Sequence, residues 1–144
     1  MKLPKAISFE IKVLANLIKR KMDDGTSEDG EDGLTGMQGW IIGYVKSNAD
    51  RAVFQRDIEK DFNIRRASVT GVLQLMERNG LIIRVPVEHD ARLKKITLTS
   101  KANMMYERSV QRWREFESSL RSGLSEEEIS LFFEIAAKLK KNLE

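Results

Sequence analysis

The sequence predicts a mainly α-helical protein with one small β-hairpin, an α+β fold in which a central lobe is flanked by helices at both ends. Three observations carry this. Apolar residues recur at helical spacing over most of the chain, proline is confined to Pro4 and Pro86, and two short β-prone runs stand close together between residues 81 and 98. Helical periodicity with little proline argues against an all-β fold, and paired short runs of Val, Ile and Leu around a polar tip argue for a hairpin. The expected organisation is a helical region at 1–21 and 101–144, an acidic loop at 22–33 and a central lobe at 34–100.

The elements follow in order. Ile7, Ile11, Leu14 and Ile18, with Phe9, Val13 and Leu17 alongside, make residues 5–21 a helix whose apolar surface is too broad for one partner. Residues 22–33 carry six acids, no base and three glycines, which breaks the helix and predicts a mobile loop. Its acid and glycine positions do not fit an EF-hand register, so calcium is not expected there. A second helix from about Gly36 to Ser47 is expected to bury Trp40, Ile41, Tyr44 and Val45, with Gly39 and Gly43 allowing close packing. Val53–Asp61 and Ala67–Asn79 read as two short helices around the turn Phe62-Asn63-Ile64-Arg65-Arg66, and Gly80 ends the second. Leu81–Val87 and Lys94–Leu98 form the hairpin, with Pro86 requiring a sheet edge. Thr99 or Ser100 caps a long helix at 101–121, and Ser125-Glu126-Glu127-Glu128 is a capping box opening a last helix.

Composition narrows the function. At 144 residues, 41% hydrophobic and 33% charged, the chain suits one globular domain or a small lobe with added helices. No apolar run approaches the ~20 residues of a membrane span, and the N-terminus mixes Lys5, Glu10 and Lys12 with apolar residues, unlike a secretory signal. These features predict a cytoplasmic protein with no membrane partner. Without cysteine there is neither a disulfide nor a thiolate sensor, and one histidine, His89, supplies no metal cluster. No Ser/His/Asp set or phosphate loop is present, so neither catalytic residues nor a cofactor are expected. The net charge of +3 conceals segregation, because residues 51–100 hold ten Lys/Arg against six acids. A basic middle on a neutral scaffold is the footprint of a nucleic-acid partner.

Two helices, a turn and a hairpin constitute a winged helix-turn-helix, whose second helix enters the DNA major groove. Projecting 67–78 at ~100° per residue places Val69, Val72, Leu73 and Met76 inward and Ala67, Thr70, Gly71, Gln74 and Arg78 outward. Thr70 and Gln74 then face base edges, with Arg66 near the helix entrance suited to guanine. Arg65, Ser68, Gln55 and Arg56 are candidate phosphate contacts. Gly71 costs ~1 kcal/mol mid-helix; the groove approaches it, a neighbouring element packs on it, or the cost is simply tolerated. At the hairpin tip, Arg92 suits the minor groove, with Lys94 and Lys95 following as backbone partners. Asp90 either orients the Arg92 guanidinium or stabilises the turn, and His89 is read as a solvated loop residue.

The stretches Phe54-Gln55-Arg56-Asp57-Ile58, Val69-Thr70-Gly71-Val72-Leu73 and Met76-Glu77-Arg78-Asn79-Gly80-Leu81-Ile82 resemble the helix-turn-helix of the MarR (multiple antibiotic resistance regulator) family. Asp90-Ala91-Arg92 followed by Leu98-Thr99 resembles that family's wing. The resemblance implies a homodimer held by the terminal helices, one recognition helix and wing per half-site, and a small-molecule cleft between the dimer helices and the DNA lobe. Gly71 departs from it, standing where many relatives carry a larger, often basic residue. So does Ala102, where a glycine is common, and the acidic loop is long. Without cysteine the peroxide-sensing branch is excluded.

The resulting expectation is a homodimeric regulator of double-stranded DNA, a ligand-responsive repressor acting on a pseudo-palindromic operator, with activation by the same fold left open. Ile7, Ile11, Leu14, Phe132, Phe133 and Leu139 are the expected dimer contacts. Trp40, Tyr44, Trp113 and Phe116 either line a pocket for a small aromatic effector or are plain core. The alternative function is a winged-helix protein-interaction module that binds no nucleic acid.

Overall fold

Leu81 and Ile82 are buried at the foot of a hairpin, and the helices around them are set by where each buries its apolar stripe. The computed structural model describes residues 5–23 and 34–144. The acidic stretch 24–33, expected to be mobile, lies outside the described residues. The elements are α1 (Ile7–Asp23), α2 (Gly36–Ser47), α3 (Gln55–Asp61), α4 (Arg66–Arg78), β1 (Ile82–Val87), β2 (Asp90–Leu98), α5 (Ser100–Arg121) and α6 (Glu126–Leu143). The chain forms two compact units, one ending at Val110 and one spanning Gln111–Glu144, so the boundary falls within α5.

In the first unit, α2 opens with a reciprocal capping box between Thr35 and Gln38. Buried Gln38 is thereby satisfied, its Oε1 accepting the Thr35 N–H at 3.1 Å. The expectation that Trp40 is buried is incorrect: it is 62% exposed. Gln38, Gly39, Ile41 and Ile42 define the buried arc of α2, and at ~100° per residue Trp40 falls on the far side. Gly43 does permit close packing, since a Cβ there would lie 3.3 Å from the Tyr106 hydroxyl.

The α3–α4 turn is made by Asn63 in the left-handed region (φ 53°), a conformation asparagine tolerates better than most residues. At the end of α4, Gly80 takes φ 72° and the Leu81 N–H reaches back to the Met76 carbonyl at 2.8 Å. That closes the helix and points the chain into β1. β1 and β2 pair antiparallel, with Ile82 opposite Leu98 and Arg84 opposite Ile96, and the register shifts between Pro86 and Val87. β2 begins at Asp90, four residues before the expected Lys94, because pairing with β1 imposes extension on residues of low strand propensity. The Ile96 N–H also donates to the Val53 carbonyl at 2.8 Å, tying the start of the helix-turn-helix to the hairpin.

Ile41, Ile42, Val53, Ile58, Val69, Leu73, Met76, Leu81, Ile82 and Ile96 form the core of this unit. Thr99 clasps it from below. Its hydroxyl donates to the Gly80 carbonyl at 2.6 Å and accepts the Ala102 N–H at 3.2 Å, capping α5 while holding the α4–β1 corner. In the second unit, Ser125 and Glu128 make the expected capping box at the start of α6. No residue of α6 is buried, and Phe132 and Phe133 stack edge-on with ring centroids 5.6 Å apart.

Among the described residues, a Cβ added at Gly71 meets nothing within 4 Å, so the alternative that a described neighbouring element packs on it fails. Gly71→Ala is expected to raise the unfolding free energy by about 0.5–1 kcal/mol through helix propensity, measured by urea denaturation. A destabilised variant would mean that this surface is covered.

Candidate nucleic-acid interface

The site is built on α4. Its inward stripe of Val69, Leu73 and Met76 is buried at helical spacing, which commits the opposite stripe to solvent. Arg66, Ala67, Ser68, Gly71, Gln74 and Arg78 are exposed, and Thr70 is half-buried between the two stripes. Arg65 precedes the helix as its N-cap residue and is exposed, beside Ser68 in the first turn. The centre of the outer face is open at Gly71, flanked by the polar ends of Thr70 and Gln74.

α3 leans on this face through side chains. Asp57 reaches back to accept the Phe54 N–H at 2.8 Å, fixing the helix start. Arg56 lies over the Phe54 ring at 5.1 Å, so its stem is packed while its charge stays exposed. The half-buried Gln55 donates from Nε2 to Thr70 Oγ1 at 2.8 Å and, more weakly, to the Arg66 carbonyl at 3.5 Å.

Sequence reasoning missed Arg84. Its Nη1 donates to Gln55 Oε1 at 3.4 Å. Its Nε lies 3.1 Å from Glu77 Oε1 as an ion pair, although the angle falls short of a hydrogen bond, and Nη2 is buried without a hydrogen-bond partner among the described residues. The signal was present: Arg84 shares the inward parity of buried Ile82 in an otherwise apolar strand. A charge at such a position is rarely idle.

Between α3 and the wing lies a cleft of about 430 Å³, lined by Arg56, Arg66, Arg84, Arg92 and Lys94 against the single acid Glu59. Five cations around one concave surface concentrate positive potential where a phosphate backbone would run. At the wing, Asp90 Oδ1 accepts the backbone N–H of Arg92 at 3.0 Å. The orienting contact therefore runs to the main chain of Arg92, and both side chains are exposed. Lys95 is not brought together with the others. Strand alternation turns it away from Arg92 and Lys94, into a second cleft of about 570 Å³ with Lys46, Arg51, Val53 and Ile96.

The aromatic candidates divide between the two units, Trp40 and Tyr44 in the first, Trp113 and Phe116 in the second, where both of the latter are half-buried. Tyr44 is engaged in a network. Its hydroxyl donates to Asp61 Oδ2 at 2.5 Å and accepts from Arg51 Nη2 at 3.0 Å, its ring meets Phe62 edge-on at 5.4 Å, and Arg51 also pairs with Asp57 at 3.3 Å. The network joins α2 to both ends of α3. Among the described residues, no group of three or more His, Cys, Asp or Glu is placed to hold a metal, and no helix is long and apolar enough to cross a membrane.

The MarR family model matches residues 32–93, from α2 through the tip of the hairpin. The structure of the transcription regulator MarR from Oenococcus oeni PSU-1 superposes with TM-score 0.79 at 30% identity, covering 94% of this chain and 99% of that one. The chain belongs to the MarR family. The S. aureus MepR–DNA complex is also similar, with TM-score 0.85 at 27% identity over 96% and 97% of the two chains. Among curated proteins, the Bacillus subtilis regulator YdgJ is 28% identical over 91 residues, covering 63% of this chain and 56% of that protein. The Escherichia coli regulator PapX is 24% identical over 123 residues, covering 85% and 75%. As a MarR-family protein the chain is a transcription regulator with a winged-helix fold, and not an enzyme.

In this MarR-family protein the Tyr44 phenol is raised above its ordinary value of 10.0, chiefly by burial and then by its hydrogen bond to Asp61, with Arg51 opposing. A raised folded-state value means that the network's contribution to stability is whole below pH ~10 and is lost as pH rises through the raised value. In a Tyr106→Phe background, which leaves one tyrosine, ultraviolet titration is expected to show Tyr44 ionising late, and Asp61→Asn to bring it back toward 10.0. An unchanged titration in Asp61→Asn would remove Asp61 from the network in solution.

Proposed function

We propose that this protein binds double-stranded operator DNA as a cytoplasmic homodimer, with α4 in the major groove and the wing along the flanking minor groove, and that it acts as a ligand-responsive repressor. The observation that carries the reading is the convergence of exposed Arg56, Arg66, Arg92 and Lys94 on one basic cleft beside the open, polar outer face of α4. Side chains of α4 would specify bases, while Arg56, Arg65, Ser68 and the wing cations would hold phosphates. The solved complex of MepR with DNA supports this docking by analogy at 27% identity. On this reading 34–100 is the DNA-reading lobe and the terminal helices pair the copies. Ile7, Ile11 and Leu14 on α1 and, separately, Phe132 and Phe133 on α6 are exposed apolar residues that a second copy would cover, and Leu139 of α6 is half-buried. A small aromatic effector would act by biasing the spacing of the two lobes. Trp40 and Tyr44 in the first unit, and Trp113 and Phe116 in the second, are proposed contacts taken each within its own unit, with Tyr44 coupling such binding to α3 through Asp61 and Arg51.

The test is a salt titration against duplex DNA. Arg92→Ala is expected to weaken binding to operator and scrambled duplex alike, and to lower the salt slope of log K by about 1 per half-site. Asp90→Ala is expected to weaken binding despite removing a negative charge, because the turn that positions Arg92 loosens; Asp90→Asn, which keeps the acceptor oxygen, is expected to retain most of it. Gln74→Ala should lose ~1–3 kcal/mol of preference at one or two base positions with the slope kept. A protein that binds no duplex at low salt would be the protein-interaction module instead.

Light scattering is expected to give a dimer at micromolar concentration, and a charge placed at Phe132 to dissociate it. A monomeric wild type would remove the two-half-site arrangement.

A further inference from the structure

The hydrogen-bond polarity of Thr70 follows from residues far from its own helix turn. Arginine has donors and no acceptor, so the oxygen of the Gln55 amide must be the end that faces Arg84. Its NH2 end then faces α4, where both neighbours, Thr70 Oγ1 at 2.8 Å and the Arg66 carbonyl at 3.5 Å, accept. The flipped amide would set oxygen against the carbonyl and NH2 against a cation, so the orientation is determined from both sides. With Gln55 donating into Oγ1, the Thr70 hydroxyl keeps its own proton to donate.

Resting on the DNA-binding reading above, we propose that Arg84 and Gln55 are positioning residues that commit Thr70 to act as a hydrogen-bond donor, so that the base facing Thr70 is read through an acceptor. In the major groove guanine offers N7 and O6 and thymine offers O4, whereas cytosine offers only its N4 amino donor. Thr70 therefore selects guanine or thymine over cytosine on the strand it faces. Glu77 completes the relay by holding Arg84 from the α4 side at 3.1 Å. Buried Nη2 of Arg84 keeps that cation inside the relay and away from the phosphates.

Reversing one bond tests this. In Gln55→Glu the carboxylate accepts from Arg84 as before, but it can no longer donate to Thr70. The Thr70 hydroxyl then donates inward and presents its oxygen to the groove. Selection from a randomised duplex library is expected to give wild type a preference of about five- to ten-fold for guanine over cytosine at one position per half-site. Gln55→Glu moves that preference toward cytosine or adenine at the same position, Thr70→Val abolishes it, and Arg84→Met weakens it while Arg84→Lys restores part. A Gln55→Glu profile identical to wild type would overturn the proposal, as would an Arg84→Met variant that changed the salt slope but no base preference.

A DNA-free measurement separates this from failure of the DNA reading. In the free wild-type protein, NMR is expected to place the Gln55 side-chain NH2 close to the Thr70 methyl, with that proximity lost in Arg84→Met. Its absence in wild type would overturn the relay whether or not the protein binds DNA; its presence in a protein that binds no duplex would leave the relay intact and remove the DNA-binding reading. Far-ultraviolet circular dichroism and melting of each variant confirm that the fold is kept.

Discussion

Everything on the outer face of α4 depends on what its inner face buries. Val69, Leu73 and Met76 are spaced by four and three residues and are each at most 2% exposed, so the rotation of the helix about its axis is not adjustable. Turning α4 by one residue, about 100°, would expose Leu73 and bury Gln74 or Thr70 without partners, at a cost of several kcal/mol. The apolar stripe thus serves as the alignment device for the polar one. The clasp of Thr99 on Gly80 and Leu81 and the Val53–Ile96 hydrogen bond hold the hairpin to the same core. The wing is therefore referenced to α4 through the foot of the hairpin and not through its own exposed tip.

Much of this was legible in the sequence because helical periodicity and turn chemistry are local. The bounds of α2, α4 and α5 follow from the apolar repeat, the Gly80 stop and the Thr99 cap, each within a few residues. The Ser125 capping box was readable as a string of four residues. The α3–α4 turn was placed correctly, although the particular role of Asn63, a left-handed residue, was not foreseen.

The misses share a physical cause: each depended on helix rotation, strand parity or strand pairing, which a residue's own character does not reveal. Trp40 is large and apolar, but Ile41 and Ile42 are only 1% and 0% exposed and leave no buried arc for it. Arg84 has no signal in its own residue type; strand parity sets it beside Gln55 and Glu77, 29 and 7 positions away. The early start of β2 at Asp90 reflects pairing with β1 and could not come from its own charged residues. Lys95 shows the same point in reverse. Its adjacency to Lys94 suggested shared work, yet alternate residues of a strand face opposite sides, and each lysine lines a different cleft.

The distribution of surfaces also bears on how affinity would arise. Cations gather along the α3–wing cleft, whereas exposed apolar residues concentrate on α1 and α6. On the proposed reading these surfaces do separate jobs. The first supplies a salt-dependent attraction that any duplex satisfies, and the second links two such lobes. Linking makes the second half-site encounter intramolecular, so modest binding by each lobe multiplies into tight binding only where two half-sites have the right spacing. Discrimination then has two independent sources, the bases opposite Thr70 and Gln74 and the distance between the paired helices. An effector that altered only that distance would forfeit the multiplication without disturbing a single base contact. On that proposed reading, an aromatic molecule that shifts the spacing of the lobes releases the protein while each recognition helix keeps its buried stripe.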